Sequence, residues 1–243
     1  MKKMISIPVP KVCLRCGGVP TIRAHIIPKA FGRLIKARSS HNINITSHKI
    51  KETQLGIYDD GILCARCDNT LGNQYDEYGV SLCREFNTMC AKINEISYTI
   101  NGADCDIVSR FVLSILWRAS VTKRAEFESV NLGVYEHMVM DIIFNGVSLA
   151  TFPEYQLLIS RFRSEKISAE LMYSLPIRAR FGGHNCYNFA LAGFRIAAII
   201  DRQQLPDSFR PFIVNKNSAM KGLFAKLEDT NEFRGLLEMV RRH

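Results

Sequence analysis

The sequence predicts an α+β protein, a cysteine-stapled N-terminal module followed by an α+β C-terminal domain. Three observations predict it. Two CxxC pairs, Cys13/Cys16 and Cys64/Cys67, bracket a short segment, Ala24-His25-Ile26-Ile27-Pro28-Lys29. After Cys67, the apolar residues Leu71, Tyr75, Tyr78, Leu82, Phe86, Met89 and Ile93 recur at steps of three or four, the period of an α-helix. Beyond residue 100, two helix-period stretches are followed by three strand-like runs. A chain of 243 residues with 47% hydrophobic and 23% charged residues can bury a sizeable core and has ordinary globular composition.

Residues 1 to 12 read as an extended lead-in, because Pro8 and Pro10 oppose helix. In Cys13-Leu14-Arg15-Cys16-Gly17-Gly18 the two glycines permit a tight turn that brings backbone amides to thiolates. Val19 to Ile27 reads as a strand running through His25 and ended by Pro28. Lys29 to Arg38 suits a short basic helix. Ser39 to Lys51, with Asn42, Asn44, Ser47 and His48, reads as a polar loop. Gly56 to Leu63 is a second strand, broken by Asp59-Asp60-Gly61, that leads into Cys64. Asp68 suits the cap of the helix after Cys67, and Asn69, Asn73, Asp76 and Glu77 stack on a face apart from its apolar stripe.

Beyond Asn101-Gly102, Asp106 to Val121 reads as a buried helix carrying the only tryptophan, Trp117. Leu132 to Phe144 is a second helix, closed by Asn145-Gly146. Tyr155 to Phe162, Leu171 to Phe181 and Tyr187 to Ile200 contain strands, with Gly182-Gly183 turning a hairpin between the last two. Ser218 to Leu227 and Thr230 to Arg242 read as terminal helices. The change of character puts a domain boundary near residue 100, dividing the chain into residues 1–100 and 101–243.

The formal net charge is +9, and its placement matters more than its size. Met1 to Lys51 holds eleven Lys or Arg and no acid, so the remainder carries 21 bases against 23 acids. The whole basic excess therefore lies with the first cysteine pair and His25. Such a block suits a polyanion, nucleic acid above all, although a solvated basic face fits the charge alone equally well. No long apolar run follows Met1-Lys2-Lys3, since Pro8, Pro10 and Lys11 interrupt it. Phe111 to Trp117, between Arg110 and Arg118, is too short to span a bilayer. The expectation is a cytoplasmic protein with no membrane partner. In that compartment eight cysteines argue for metal ligation and buried thiols over disulfides. Cys13, Cys16, Cys64 and Cys67 can supply the four thiolates of a tetrahedral structural zinc. Cys83, Cys90, Cys105 and Cys186 lack paired spacing and read as small core residues.

Cys13-x-x-Cys16, Ala24-His25-Ile26-Ile27-Pro28-Lys29, Leu63-Cys64-x-x-Cys67-Asp68-Asn69 and Asp76 together resemble the HNH, or ββα-metal, endonuclease superfamily. The likeness is to its zinc-knuckled, treble-clef branch with two CxxC pairs, and it covers roughly residues 13 to 80. The resemblance implies an N-terminal ββα-metal module and a metal-dependent endonuclease hydrolysing nucleic-acid phosphodiesters. It implies that His25 is a general base activating water, and that magnesium or manganese contacts the phosphate. Asp68, Asn69 or Asp76 would hold that metal from the helix, and Arg23, Lys29 and Arg33 would contact the nucleic-acid backbone. DNA is the implied partner over RNA, and the C-terminal domain would recognise substrate or form a homodimer.

The chemistry makes sense of these residue types. A phosphodiester is anionic and resists hydroxide, so attack needs a positioned base and positive charge on the phosphate. Histidine titrates near neutrality, and oxygen ligands suit magnesium. The sequence also departs from the pattern. Ala24 stands where many members carry an acidic ligand, and the helix after Cys67 has no closing histidine. The middle asparagine has only Asn42 and Asn44 as loop candidates. These departures keep open a non-catalytic, zinc-stapled nucleic-acid-binding protein, in which Asp68 only caps its helix and Asp76 and Glu77 are solvated acids. His41, His48, His137, His184 and His243 have no motif support.

Overall fold

The computed structural model describes residues 11–36, 43–45, 50–52 and 57–230. The lead-in up to Pro10, the loop positions Asn42 and His48, and the terminal helix expected beyond Thr230 lie outside these residues. The chain is mixed α+β. The N-terminal half supplies β1 (Ala24–His25), α1 (Lys29–Lys36), β2 (Ile43–Ile45), β3 (Ile50–Glu52) and β4 (Tyr58–Asp59). α2 (Ala65–Leu71) then passes through one π-helical turn, Gly72–Asp76, into α3 (Glu77–Met89). After it come β5 (Cys90–Lys92), β6 (Ser97–Ile100), α4 (Cys105–Val121) and α5 (Glu136–Asn145). The remaining strands are β7 (Tyr155–Arg163), β8 (Ser174–Phe181), β9 (His184–Leu191), β10 (Phe194–Ile200) and β11 (Met220–Lys226).

Seven strands make the body of one large sheet in the order β8-β9-β10-β7-β11-β6-β5, and the short β2 and β3 extend it to nine at the β8 edge. β7 to β10 form an antiparallel set, whereas β11 joins β7 in parallel. β1 and β4 form a separate antiparallel pair that aligns Ala24 with Asp59 and His25 with Tyr58.

Gly182 and Gly183, at φ +55° and +91°, turn the β8–β9 hairpin as expected, since both central positions of that turn need positive φ. The second hairpin, β9–β10, turns at Ala192 and Gly193 (φ +46° and +85°) and divides the run read as Tyr187 to Ile200. An Ala-Gly pair lacks the side-chain chemistry that flags such turns. Gly146, left-handed at φ +71°, ends α5 as its sequence implied.

Four expectations need correction. Ser218 to Leu227 contains a strand, β11, rather than a helix: its partners Tyr98 and Phe162 supply the ladder that local pattern cannot reveal. The region read as a loop, Ser39 to Lys51, contains β2 and most of β3. Ile93 lies outside the helix, which ends at Met89 because Cys90 turns extended to pair with Ile100. Asp68 is not a cap, because Cys64 occupies the N-cap position and Asp68 sits inside the first turn of α2.

One apolar cluster runs from Cys13 and Ala24 through α4 to Met220, so both halves of the chain share a core. α4 lies at its centre, capped by the Asp104 carboxylate accepting from the Ile107 amide at 3.0 Å. Trp117 packs edge-on to Phe144 with centroids 5.5 Å apart, and Phe31 of α1 stacks on Phe111 at 5.8 Å. α3 crosses α4 at Gly79, where an added Cβ would stand 2.7 Å from the Phe111 ring. Gly79→Ala is therefore expected to destabilise the fold by about 1–3 kcal/mol, the usual cost of overpacking. Thermal denaturation would read this, and an unchanged melting temperature would mean that the two helices yield at no cost.

Candidate metal centre and the His25 site

The first knuckle is a tight turn in which the Cys13 amide donates to the Gly18 carbonyl at 3.0 Å and the Gly17 amide to the Cys13 carbonyl at 2.8 Å. Gly17 takes φ +69°, and a Cβ on Gly18 would come within 3.3 Å of Cys16 Sγ. The glycines thus let the backbone close around sulfur. Backbone bonds tie this turn to the second cysteine pair: Leu14 donates to Ile62 and Ile22 to Leu63, each at 2.9 Å. Cys64 caps α2, and Cys67 follows one turn later.

These local structures gather Cys13, Cys16, Cys64 and Cys67, all four sulfurs lying within 4.8 Å of one another. Cys16 Sγ stands 3.6 Å from Cys67 Sγ and 3.8 Å from Cys64 Sγ. Zinc–thiolate bonds of about 2.3 Å put the edges of a tetrahedron at about 3.8 Å. The donor set and its spacing therefore fit a zinc ion. The Gly18 amide and the neighbouring thiols bring Cys16 down to about 6, whereas burial pushes Cys67 up to about 12. A metal would displace those protons and bind four thiolates.

Two arginines flank the sulfurs. Arg15 donates to Cys67 Sγ at 3.7 Å while its guanidinium lies over the Phe144 ring at 5.0 Å, and Cys16 beside Arg66 raises the pKa of that guanidinium. Their charge offsets the surplus negative charge that four thiolates leave on a divalent ion. The remaining cysteines are apart from this group. Cys105 and Cys186 are buried, and Cys83 and Cys90 are half-buried against the core.

His25 stands on β1, opposite Tyr58 of β4. Its ring meets the edge of Tyr58, centroids 6.2 Å apart, and the Arg23 guanidinium covers Tyr58 at 3.7 Å. His25 is half-buried, and burial first, then Lys29, Arg118 and Arg23, lower its pKa below 6.5, with Asp76 opposing. The shift favours the neutral imidazole at pH 7, the form that can accept a proton. Asp76, at the end of the π turn, gives both carboxylate oxygens to Arg118, at 2.7 and 2.8 Å. Asp68 is half-buried with its pKa raised by burial and by Asp76 and lowered by Arg118.

The predicted site residues separate accordingly. His25, Asp68 and Asp76 share one electrostatic neighbourhood around Arg118. Lys29 is half-buried and acts on His25, whereas Asn69 and Arg33 are exposed. Ala24, where an acid is common in the resembled family, is fully buried and paired with Asp59. Sequence reasoning missed Arg118, which it treated only as a boundary of an apolar run. The available signal was an arginine directly after the apolar run Phe111 to Trp117 in a helix read as buried, a position that demands a partner.

The last turn of α4 and the residues after it grip both short strands. Arg118 reaches the His25 carbonyl at 3.0 Å, Thr122 bonds Asp59 at 2.5 Å, and Arg124 reaches the Tyr58 carbonyl at 3.2 Å. No protein-family model, curated protein or solved structure matches this chain. Among the described residues no helix is long and apolar enough to cross a membrane.

Proposed function

We propose that the protein is a metal-dependent endonuclease of the HNH type, with a structural zinc on its four cysteines and His25 as general base. One observation carries the reading. A histidine of lowered pKa sits on a strand tied to the cysteine cluster, among Lys29, Arg23 and Arg118, with two carboxylates of the following helix in the same neighbourhood. Neutral imidazole takes the proton of an attacking water, and the cations draw in an anionic phosphodiester. Asp68 and Asn69 are the oxygen donors for magnesium or manganese, which would polarise the scissile phosphate when bound. Arg23, Lys29 and Arg33 contact the nucleic-acid backbone. DNA is the substrate proposed, and residues 101–243 are the part that recognises substrate or pairs two copies.

A second reading is favoured by Ala24 and by the capture of Asp76 by Arg118: a zinc-stapled nucleic-acid-binding protein without catalysis. The test is incubation of the zinc-loaded protein with supercoiled plasmid and with RNA in magnesium or manganese. Nicking or cutting of the plasmid is expected. Salt-dependent binding without cleavage, in every divalent metal tried, would establish the second reading instead.

A further inference from the structure

We propose that Arg118 is the positioning residue of the His25 site, its guanidinium joining the main chain at His25 to the Asp76 carboxylate and so setting where the imidazole stands. The inference rests on the nuclease reading above.

All five N–H donors of this side chain are used. Nε donates to the Ser114 carbonyl at 3.1 Å. One terminal nitrogen donates to the His25 carbonyl at 3.0 Å and to Asp76 Oδ2 at 2.8 Å. The other donates to Asp76 Oδ1 at 2.7 Å and to the Ser114 hydroxyl at 3.1 Å. A guanidinium has no sixth donor, so none is left for a substrate phosphate. Each Asp76 oxygen accepts one charge-assisted bond from the guanidinium, so both ends of that carboxylate are tied to Arg118. Arg118 is 1% exposed and stands on the central, buried helix of the core. With the Asp76 side chain 13% exposed, the pair is largely shielded from water, unlike a surface ion pair.

The π turn explains how Asp76 gets there. Five residues, Gly72–Asp76, widen the helix between α2 and α3, while Tyr75 inside it anchors to the Ile143 carbonyl at 3.0 Å. Widened turns of this kind re-aim the side chains that follow and recur at functional sites. Here the turn ends at the residue that receives Arg118. The linkage therefore runs from α4 to β1 through one bond and to the helix of the metal-binding knuckle through two. A general base displaced by about 1 Å loses about a hundredfold in rate, so one rigid tie to its backbone is consequential.

The test compares full-length, zinc-loaded wild type with Arg118→Lys, Arg118→Gln and Asp76→Asn. Three readouts are taken: steady-state plasmid cleavage, zinc content, and the histidine ring region of NMR spectra, with the His25 signals assigned by their loss in His25→Ala. Arg118→Gln is expected to lower kcat by about 10- to 100-fold with KM little changed and zinc retained, as for other residues that orient a site from behind. Arg118→Lys keeps the charge without the fork and is expected to recover part of that loss while still displacing the His25 signals. Should Arg118→Gln fail to fold, the lysine variant carries the test. Unmoved His25 signals in the lysine and asparagine variants would overturn the proposal. So would a raised KM at unchanged kcat, which would make Arg118 a substrate contact. If the wild type cleaves nothing, the nuclease reading falls, and the ring signals alone decide whether Arg118 positions His25.

Discussion

Substitution of Cys67 by serine is expected to release the structural metal and unfold the segment that carries His25. Cys67 is buried, and its sulfur stands 3.6 Å from that of Cys16. Serine supplies no thiolate, so the tetrahedral set drops to three ligands. Structural zinc contributes about 10–16 kcal/mol in isolated zinc-finger peptides, against a total stability of about 5–15 kcal/mol for a typical domain. The strand pair adds little of its own, since β1 and β4 are two residues each and an isolated two-stranded pair is marginal in water. The segment therefore depends on the cluster and on the bonds from Arg118, Thr122 and Arg124. One zinc per chain is expected in the wild type and none in Cys67→Ser, with a lower melting temperature that a chelator reproduces in the wild type. Cys83→Ser is the control, since Cys83 packs on the core away from the cluster and should leave zinc content unchanged. Retention of wild-type melting by both Cys67→Ser and the chelated protein would remove metal from the account of the fold.

The second large effect concerns His25. His25→Ala is expected to lower cleavage by about 10²- to 10⁴-fold, the usual contribution of a general base, while zinc content stays at the wild-type level. Its pH dependence has a determined sign. Burial, then Lys29, Arg118 and Arg23, lower the folded pKa of His25 below 6.5, and Asp76 opposes them. Only the neutral ring accepts a proton, so cleavage should rise with pH through a midpoint below 6.5 and level off above it. Added salt should raise that midpoint only partly, because it screens Lys29 and Arg23 but leaves the burial contribution in place. The same shift makes the native state the weaker proton binder. Stability from His25 is therefore complete above pH 6.5 and is lost as pH falls below it. Undiminished cleavage by His25→Ala, or an acid limb centred above 6.5, would take His25 out of the mechanism.

Much of the four-cysteine cluster was legible because its signals are local. A CxxC pair followed by Gly-Gly makes a knuckle through bonds inside six residues, from Cys13 to Gly18. The stripe Leu71, Tyr75, Leu82, Phe86 marked the helix after Cys67 by its period, and Gly146 and Gly182-Gly183 marked their turns by needing positive φ. β11 was misread for the opposite reason. Met220 to Lys226 has no period of its own, and its strand state comes from Ile100, Tyr98 and Arg161, which lie more than fifty residues away. The widening of the helix at Gly72–Asp76 was equally hidden, since it answers to Arg118 and Ile143 rather than to neighbours in sequence.

By itself the sequence determined that this is an α+β chain with four cysteines spaced for one metal, a histidine, His25, in a short segment between the pairs, and its basic excess beside them. These are properties of residue type and short spacing, which survive any later packing. Only the tertiary structure decided that Arg118, ninety-three positions from His25, closes over its carbonyl and takes Asp76 as its counter-charge. The physical reason is desolvation. A guanidinium carried into the core by the apolar faces of α4 must find acceptors for all five donors, and which groups those are depends on where the other elements come to rest.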